Sequence, residues 1–339
     1  MVWVVDFGPE SVRVLAGEVK TEGVPRLAGA GKARTRGLEH GEPVHAGDMT
    51  EGLVAALREA EKTSGLKCGR IYFNFDDTAL ESRFPIGSRT LAGEGEIRRA
   101  DVEEVLHTAE RFVGHFEKSI VYSRDLHYLI DGKDSVVNPV GVFGRHLDVR
   151  LHVLLARAEI METWQKVIER ARLKKGIPVL SLLSSIYGVL ETRAPEGGHV
   201  VCDLGADVLS AALFRNGAIR RYAGCSAKGL SMADTAAWVK RVTDEMMKEH
   251  PPADDLILTG DLAEKETLTH AVMSASPVAS RVAAPVGLVG YDHTGDSAIV
   301  GCLRLAAKTP LARGRVPGTR HDLVADLRKR ATGLIREYF

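Results

Sequence analysis

Two short stretches decide the reading of the fold: Trp3-Val4-Val5-Asp6-Phe7-Gly8 and Val200-Val201-Cys202-Asp203-Leu204-Gly205. Each is an apolar run ending in Asp-x-Gly, then a short polar turn, then a second apolar run, residues 12–15 in one case and 209–214 in the other. Asp6 and Asp203 stand 197 positions apart, which is too far for a short-period solenoid and points to two related α/β domains facing each other. Ordinary hairpin chemistry also produces strand, turn and strand, so that reading stays open. The loop has a chemical logic of its own. An Asp at a strand end followed by Gly lets the backbone come close to a phosphate with its N–H groups facing the anion. The carboxylate can hold a hydrated Mg²⁺, which keeps most of its waters. Two such loops would grip a nucleotide's phosphates in a cleft; on the plainer reading Asp6 and Asp203 only shape turns.

Working outward, residues 2–5, 12–19 and 26–31 read as strands, and 50–62 as a helix opened by a Thr50 cap, with Leu53, Val54, Leu57 and Ala60 at helical spacing. Residues 71–75 form a further strand, 99–115 a helix opened by Asp101, 147–155 a strand and 158–173 a helix. The apolar stretch 179–190 is broken by Ser181, Ser184, Ser185 and Gly188 and falls short of the roughly 20 apolar residues that cross a bilayer. With 45 Lys plus Arg against 45 Asp plus Glu in 339 residues, the formal charge is zero, which speaks against a phosphate-backbone footprint and hence against nucleic acid as a partner. Cys68, Cys202, Cys225 and Cys302 lie far apart without a C-x-x-C pair and read as reduced core thiols of a cytosolic protein. No basic segment precedes the first strand, so no signal peptide is expected. The twelve histidines show no His-Glu-x-x-His spacing, and no catalytic metal is expected. Gly224-Cys225-Ser226 reads as a loop, and Met246-Met247 as core packing.

The order of motifs resembles FtsA, an actin-like protein of bacterial cell division. The resemblance is carried by Asp6-Phe7-Gly8-Pro9-Glu10-Ser11-Val12-Arg13, Arg36-Gly37-Leu38-Glu39-His40-Gly41, Ile130-Asp131-Gly132 followed by Asn138-Pro139-Val140-Gly141, Val167-Ile168-Glu169-Arg170-Ala171, the loop 201–205, and Ile257-Leu258-Thr259-Gly260. It implies an α/β, actin-like fold of two duplicated ribonuclease-H-like lobes with a small α+β domain inserted in the first. The expected division is lobe I over 1–71 and 157–198, the insert over 72–156, lobe II over 199–308, a linker over 309–321 and a terminal helix over 322–339. If a nucleotide site is retained, the resemblance places it at Asp6, Gly8, Ser11, Arg13, Asp203, Gly205, Ser210, Thr259 and Gly260, with ATP and Mg²⁺ as the cofactor. No catalytic residue emerges.

The chain also departs from the FtsA pattern. Where the second phosphate loop of that family reads Asp-x-Gly-Gly-Gly-Thr-Thr-Asp, residues 203–210 keep one of the three glycines and add Asp207. Where the adenosine motif reads Thr-Gly-Gly-Gly, Thr259-Gly260 is followed by Asp261-Leu262. Added Cβ atoms and carboxylates oppose a phosphate. One amphipathic helix, 235–249, replaces the family's fourth subdomain, which supplies a wall of the adenine pocket and the FtsZ-tail groove; direct FtsZ binding is therefore not expected. The tail repeats helical spacing, with Leu323, Val324, Leu327, Leu334, Ile335 and Tyr338 on one side, Arg328, Lys329 and Arg330 on the other, and Phe339 at the end. FtsA proteins end in a membrane-targeting helix, so these residues are expected to lie on an anionic bilayer at the inner face of the cell membrane; docking on the protein's own core is the alternative. The expectation is an FtsA-like peripheral adaptor or scaffold acting through contacts with division or cytoskeletal proteins and through self-association, with weak or lost ATP binding. A functioning actin-like ATPase or phosphotransferase and a PilM-like pilus assembly platform are the alternatives.

Overall fold

The computed structural model describes residues 1–19, 25–113, 117–174, 176–190, 197–249 and 251–308. β1 (Val2–Phe7) pairs antiparallel with β2 (Ser11–Val19), which pairs antiparallel with β3 (Pro25–Arg34). A hairpin, β4 (Leu38–Glu39) and β5 (Glu42–Pro43), precedes α1 (Ala46–Ser64) and β6 (Ile71–Phe75), which lies parallel to β1. The chain then leaves this sheet for β7 (Glu81–Arg83), β8 (Ile86–Glu96), α2 (Arg99–Arg111), β9 (Lys118–Ile130), β10 (Lys133–Val136) and β11 (Phe143–Arg157), an antiparallel sheet centred on β11. It returns through α3 (Ala158–Arg170) to β12 (Gly176–Leu180), parallel to β6. α4 (Ser181–Val189) leads to the third sheet: β13 (Gly198–Leu204), β14 (Val208–Arg215), β15 (Ala218–Ser226), α5 (Met232–Met246), β16 (Asp255–Thr259), α6 (Glu266–Ala275) and β17 (Ala279–Val282). α7 (Ser297–Ala307) packs back on β1 and β2.

The first and third sheets have one topology. Their orders are β3-β2-β1-β6-β12 and β15-β14-β13-β16-β17, antiparallel on the hairpin side and parallel on the other. Asp6 pairs across its hairpin with Arg13, and Asp203 with Ser210. The recurrence of Asp-x-Gly is thus a duplication and not a coincidence of turns.

The apolar patterning explains the layers. β1 is buried along its whole length because both faces of its sheet are covered. Trp3, Val5 and Phe7 join the core that holds Met49, Leu53 and Trp164, with the Phe7 and Trp164 ring centroids 4.7 Å apart. Val2 and Val4 join Ile299, Val300 and Leu303 of α7. The run 179–190 is the end of β12 and then α4, whose residues are buried except for Tyr187; a helix enclosed on all sides needs no polar stripe. In the inserted sheet Val105, Leu106 and Ala109 of α2 cover Leu147, Val149, Leu151 and Val153 of β11. Arg157 ties that sheet to the first through Asp77 (3.0 Å) and Glu42, and Tyr122 Oη accepts the Ile219 N–H of β15 at 2.7 Å.

Several boundaries move. α1 starts at Ala46, and Thr50 is not its cap: its hydroxyl donates back to the Ala46 carbonyl at 2.6 Å, a bond available inside a helix. α5 starts at Met232 because Ser231 and Asp234 form a reciprocal capping box. Gly224-Cys225-Ser226 is not a loop but the end of β15, paired with residues 208–210 of β14. Met246 is core, as expected. All four cysteines are free; Cys202 and Cys302 are buried, whereas Cys68 and Cys225 are only half-buried. Only residues 247–254 separate α5 from β16. No helix among the described residues is long and apolar enough to cross a membrane.

α4 and α7 cross in backbone contact. A Cβ on Gly301 would sit 1.7 Å from the Ser184 carbonyl oxygen, and one on Gly188 would sit 2.2 Å from that of Ser297. Both obstacles are main-chain atoms, which no rotamer change removes. Gly301→Ala is therefore expected to destabilise the fold by about 1–3 kcal/mol, seen as a lower urea midpoint with unchanged slope.

Candidate functional site

The corresponding ends of β1, β6, β13 and β16 converge on a cleft of about 80 Å³. Its walls include Asp6, Gly8, Arg13, Asp203, Gly205, Ser210 and Gly260, seven of the nine positions expected from sequence. The other two have structural roles. The Ser11 carbonyl accepts the Gly8 N–H at 3.1 Å and closes the first loop on itself. Thr259 is fully buried, its hydroxyl bonded to Ser297 Oγ at 2.6 Å and to the Thr294 carbonyl at 3.2 Å. The tail residues Leu323, Val324, Leu327, Arg328, Lys329, Arg330, Leu334, Ile335, Tyr338 and Phe339 lie outside the described residues.

A polar chain holds the floor of the cleft. Ser184 of α4 donates to Asn74 Oδ1 at 2.7 Å, Asn74 Nδ2 to Asp6 Oδ1 at 3.0 Å, and Arg13 Nη2 to Asp6 Oδ2 at 2.6 Å. Arg13 Nη1 goes on to Asp296 Oδ1 at 2.6 Å. The next residue of α4, Ser185, donates to Asp203 Oδ2, and Ser181 to Asp76 Oδ2 at 2.8 Å. Burial opposes the charge of Arg13, but Asp6 and Asp296 outweigh it and raise its pKa.

Five aspartates, Asp6, Asp76, Asp203, Asp207 and Asp261, line the cleft against one guanidinium. Burial pushes Asp76 up from 3.8 to about 7, with Asp203 and Asp6 adding like charge and the Ser181 bond opposing it. Burial likewise raises Asp203 to about 6, opposed by Ser185 and Arg13. Asp261 is raised by burial and by Asp6, opposed by Arg13 and by the nearby backbone N–H of Ala206 in the second loop. That amide is one a phosphate would need, and a carboxylate of the chain itself stands beside it.

The tip of the β4–β5 hairpin completes the closure. His40, at φ +53°, places Nδ1 2.8 Å from Ser226 Oγ in the other lobe. Gly41, at φ +76°, sits so close that a Cβ would meet Val208 at 2.8 Å. Pockets for small molecules usually enclose about 300–1,000 Å³. In volume and charge these walls do not fit a nucleoside triphosphate, and among the described residues no group of three or more His, Cys, Asp or Glu is placed to hold a metal.

Asp76, Asn74, Ser181, Ser184 and Ser185 escaped the sequence reading. Asp76 directly follows β6, and an aspartate at a strand end was the available signal. The serines read only as interruptions of an apolar run.

Two lobes of one topology, with an aspartate loop in each and a cleft between them, define an actin-like ATPase fold. In line with this, the chain superposes on the PilM–PilN type IV pilus biogenesis complex with a TM-score of 0.64, at 16% identity, over 93% of its length and 99% of that chain. Residues 80–155 match the family described as the SHS2 domain inserted in FtsA. The chain is 25% identical to the cell division protein FtsA of Pseudomonas aeruginosa over 74% of its own length and 60% of that protein's. It is 26% identical to FtsA of Escherichia coli K12 (65% and 53%) and 28% to that of Neisseria meningitidis serogroup B (67% and 54%). The chain is therefore FtsA-like, an actin-like fold carrying an SHS2 domain, and it spans between half and two thirds of the length of these relatives.

The raised acids give the cleft a pH signature. An acid whose folded pKa exceeds its unfolded value binds more protons when folded, so its contribution is full below about 4 and is lost as pH rises toward 7. Asp76→Asn keeps an acceptor for Ser181. The variant is expected to match the parent near pH 4 and to exceed it at about pH 8 by 1 kcal/mol or more, in urea titrations.

Proposed function

We propose that the chain is an adaptor of bacterial cell division, FtsA-like and peripheral to the inner face of the cell membrane, which works through protein contacts with weak or lost ATP binding. The observation that carries this reading is Asp261 lining the cleft beside Ala206 of the second loop, a carboxylate of the chain's own where an anionic ligand would sit. The small, acidic cleft and the short 247–254 connection in place of a subdomain support it. Partners are division or cytoskeletal proteins reached through the SHS2 domain and through self-association; direct contact with FtsZ is not part of the proposal.

A ligand that binds only the folded state must stabilise it. Millimolar Mg·ATP is expected to leave the melting temperature unchanged; a rise of several degrees would overturn the reading in favour of an ATPase or phosphotransferase. Membrane attachment is assigned to residues 322–339. Vesicles containing anionic lipid are expected to sediment the full chain and not a chain ending at Arg320, and equal sedimentation would remove the tail from the proposal. The end-to-end likeness to the PilM chain favours a second reading, a pilus assembly platform. Pilus genes beside this one, in place of cell-wall and division genes, would select it.

A further inference from the structure

The SHS2 domain and the second lobe meet along a seam that carries cations out of proportion to its carboxylates. β11 contributes Arg150, and β14 and β15 contribute Arg215, Arg220 and Arg221. Arg221 is paired with Glu249. Arg150, Arg215 and Arg220 make no ion pair with any described residue: Arg220 donates to the Leu126 carbonyl at 2.9 Å, and Arg215 to the carbonyls of Pro251 and Pro252. Nε of Arg220 is buried without a partner. Burial lowers the pKa of Arg220, and Arg215 and Arg124 lower it further against Tyr122 and Asp125. A half-buried guanidinium without a counter-ion, as at Arg220, is costly and gains when an anion arrives.

The donors are also arranged. Phe84 stacks on the His152 ring at 4.8 Å, and the guanidinium carbons of Arg221 and Arg150 lie 4.9 and 5.6 Å from its centroid. A guanidinium held against an aromatic ring, as at Arg150, keeps its N–H edge free for a carboxylate and loses less freedom on binding.

We infer that this seam is a docking surface for an acidic, extended segment of a partner protein. Cations spread over three strands of two domains suit a row of carboxylates better than one phosphate. Phe84, Arg220 and Arg221 are half-buried, within reach of a threaded chain and not of a flat bilayer. The chain's own residues 309–339 are no occupant, because their seven Arg and Lys outnumber three Asp and Glu. The surface is separate from the cleft and does not depend on what the cleft binds.

The test uses the full chain and a short fluorescent peptide alternating glutamate and valine, beside the same peptide with glutamine. Anisotropy at low salt is expected to show binding of the acidic peptide alone. Arg150→Glu, at an exposed position, is expected to weaken it by about tenfold or more at unchanged melting temperature, while Arg99→Glu on α2 changes nothing. If Arg150→Glu unfolds, Arg150→Gln replaces it with the same expected direction. Equal binding of both peptides, indifference to either Arg150 change, or vesicles of phosphatidylglycerol binding through Arg150 where the peptide does not would each overturn the inference.

Discussion

Two neighbouring serines on one buried helix hold the molecule's halves in register. Ser184 reaches Asp6 of the first lobe through Asn74, and Ser185 reaches Asp203 of the second directly. Because α4 is the segment that leads from one sheet to the other, the two aspartate loops are fixed to a common rod. A buried hydroxyl without a partner is penalised, so each serine needs its loop as much as the loop needs the serine. The small side chains that make these bonds also let α7 lie against α4.

Charge follows from that arrangement. Drawing two duplicated loops onto one helix brings their aspartates together, and Asp76 and Asp261 add to them. In the absence of a matching number of cations the fold relieves the repulsion by other means. Arg13 is shared between Asp6 and Asp296, hydroxyls solvate the carboxylates of Asp76 and Asp203, and proton uptake is favoured at both. The hairpin tip at His40 and Gly41 then takes up most of the remaining space. Each device stabilises the closed cleft on its own terms, and together they leave the outer surfaces to deal with partners.

Much of this was legible in the residues. The repeated Asp-x-Gly loop gave the duplication, since strand, tight turn and strand are local events with local signatures. Seven of nine positions expected at the cleft line it, because the glycines and aspartates there are constrained by backbone geometry. What stayed hidden depends on distant partners. Ser184 and Ser185 look like blemishes in an apolar run until Asn74 and Asp203, 110 and 18 residues away, arrive beside them. Asp261 reads as an obstacle to phosphate, and only the fold shows it beside Ala206 at the cleft wall. Thr259 and Ser11 carry plausible side chains at plausible spacing, yet a buried hydroxyl already satisfied by Ser297 has nothing to offer a ligand. β15 runs on through Gly224-Cys225-Ser226 because β14 offers a ladder there, which outweighs weak strand propensity.

The contact of Gly188 and Gly301 with opposing main chain sets a mechanical rule for the whole particle. Helices separated by side chains can slide by repacking them, the small steps of a shear mechanism. Helices that touch backbone to backbone have no such cushion. The lobes can turn about that crossing like blades about a rivet but cannot slip past one another, so a partner gripping both would sense an angle and never a gap.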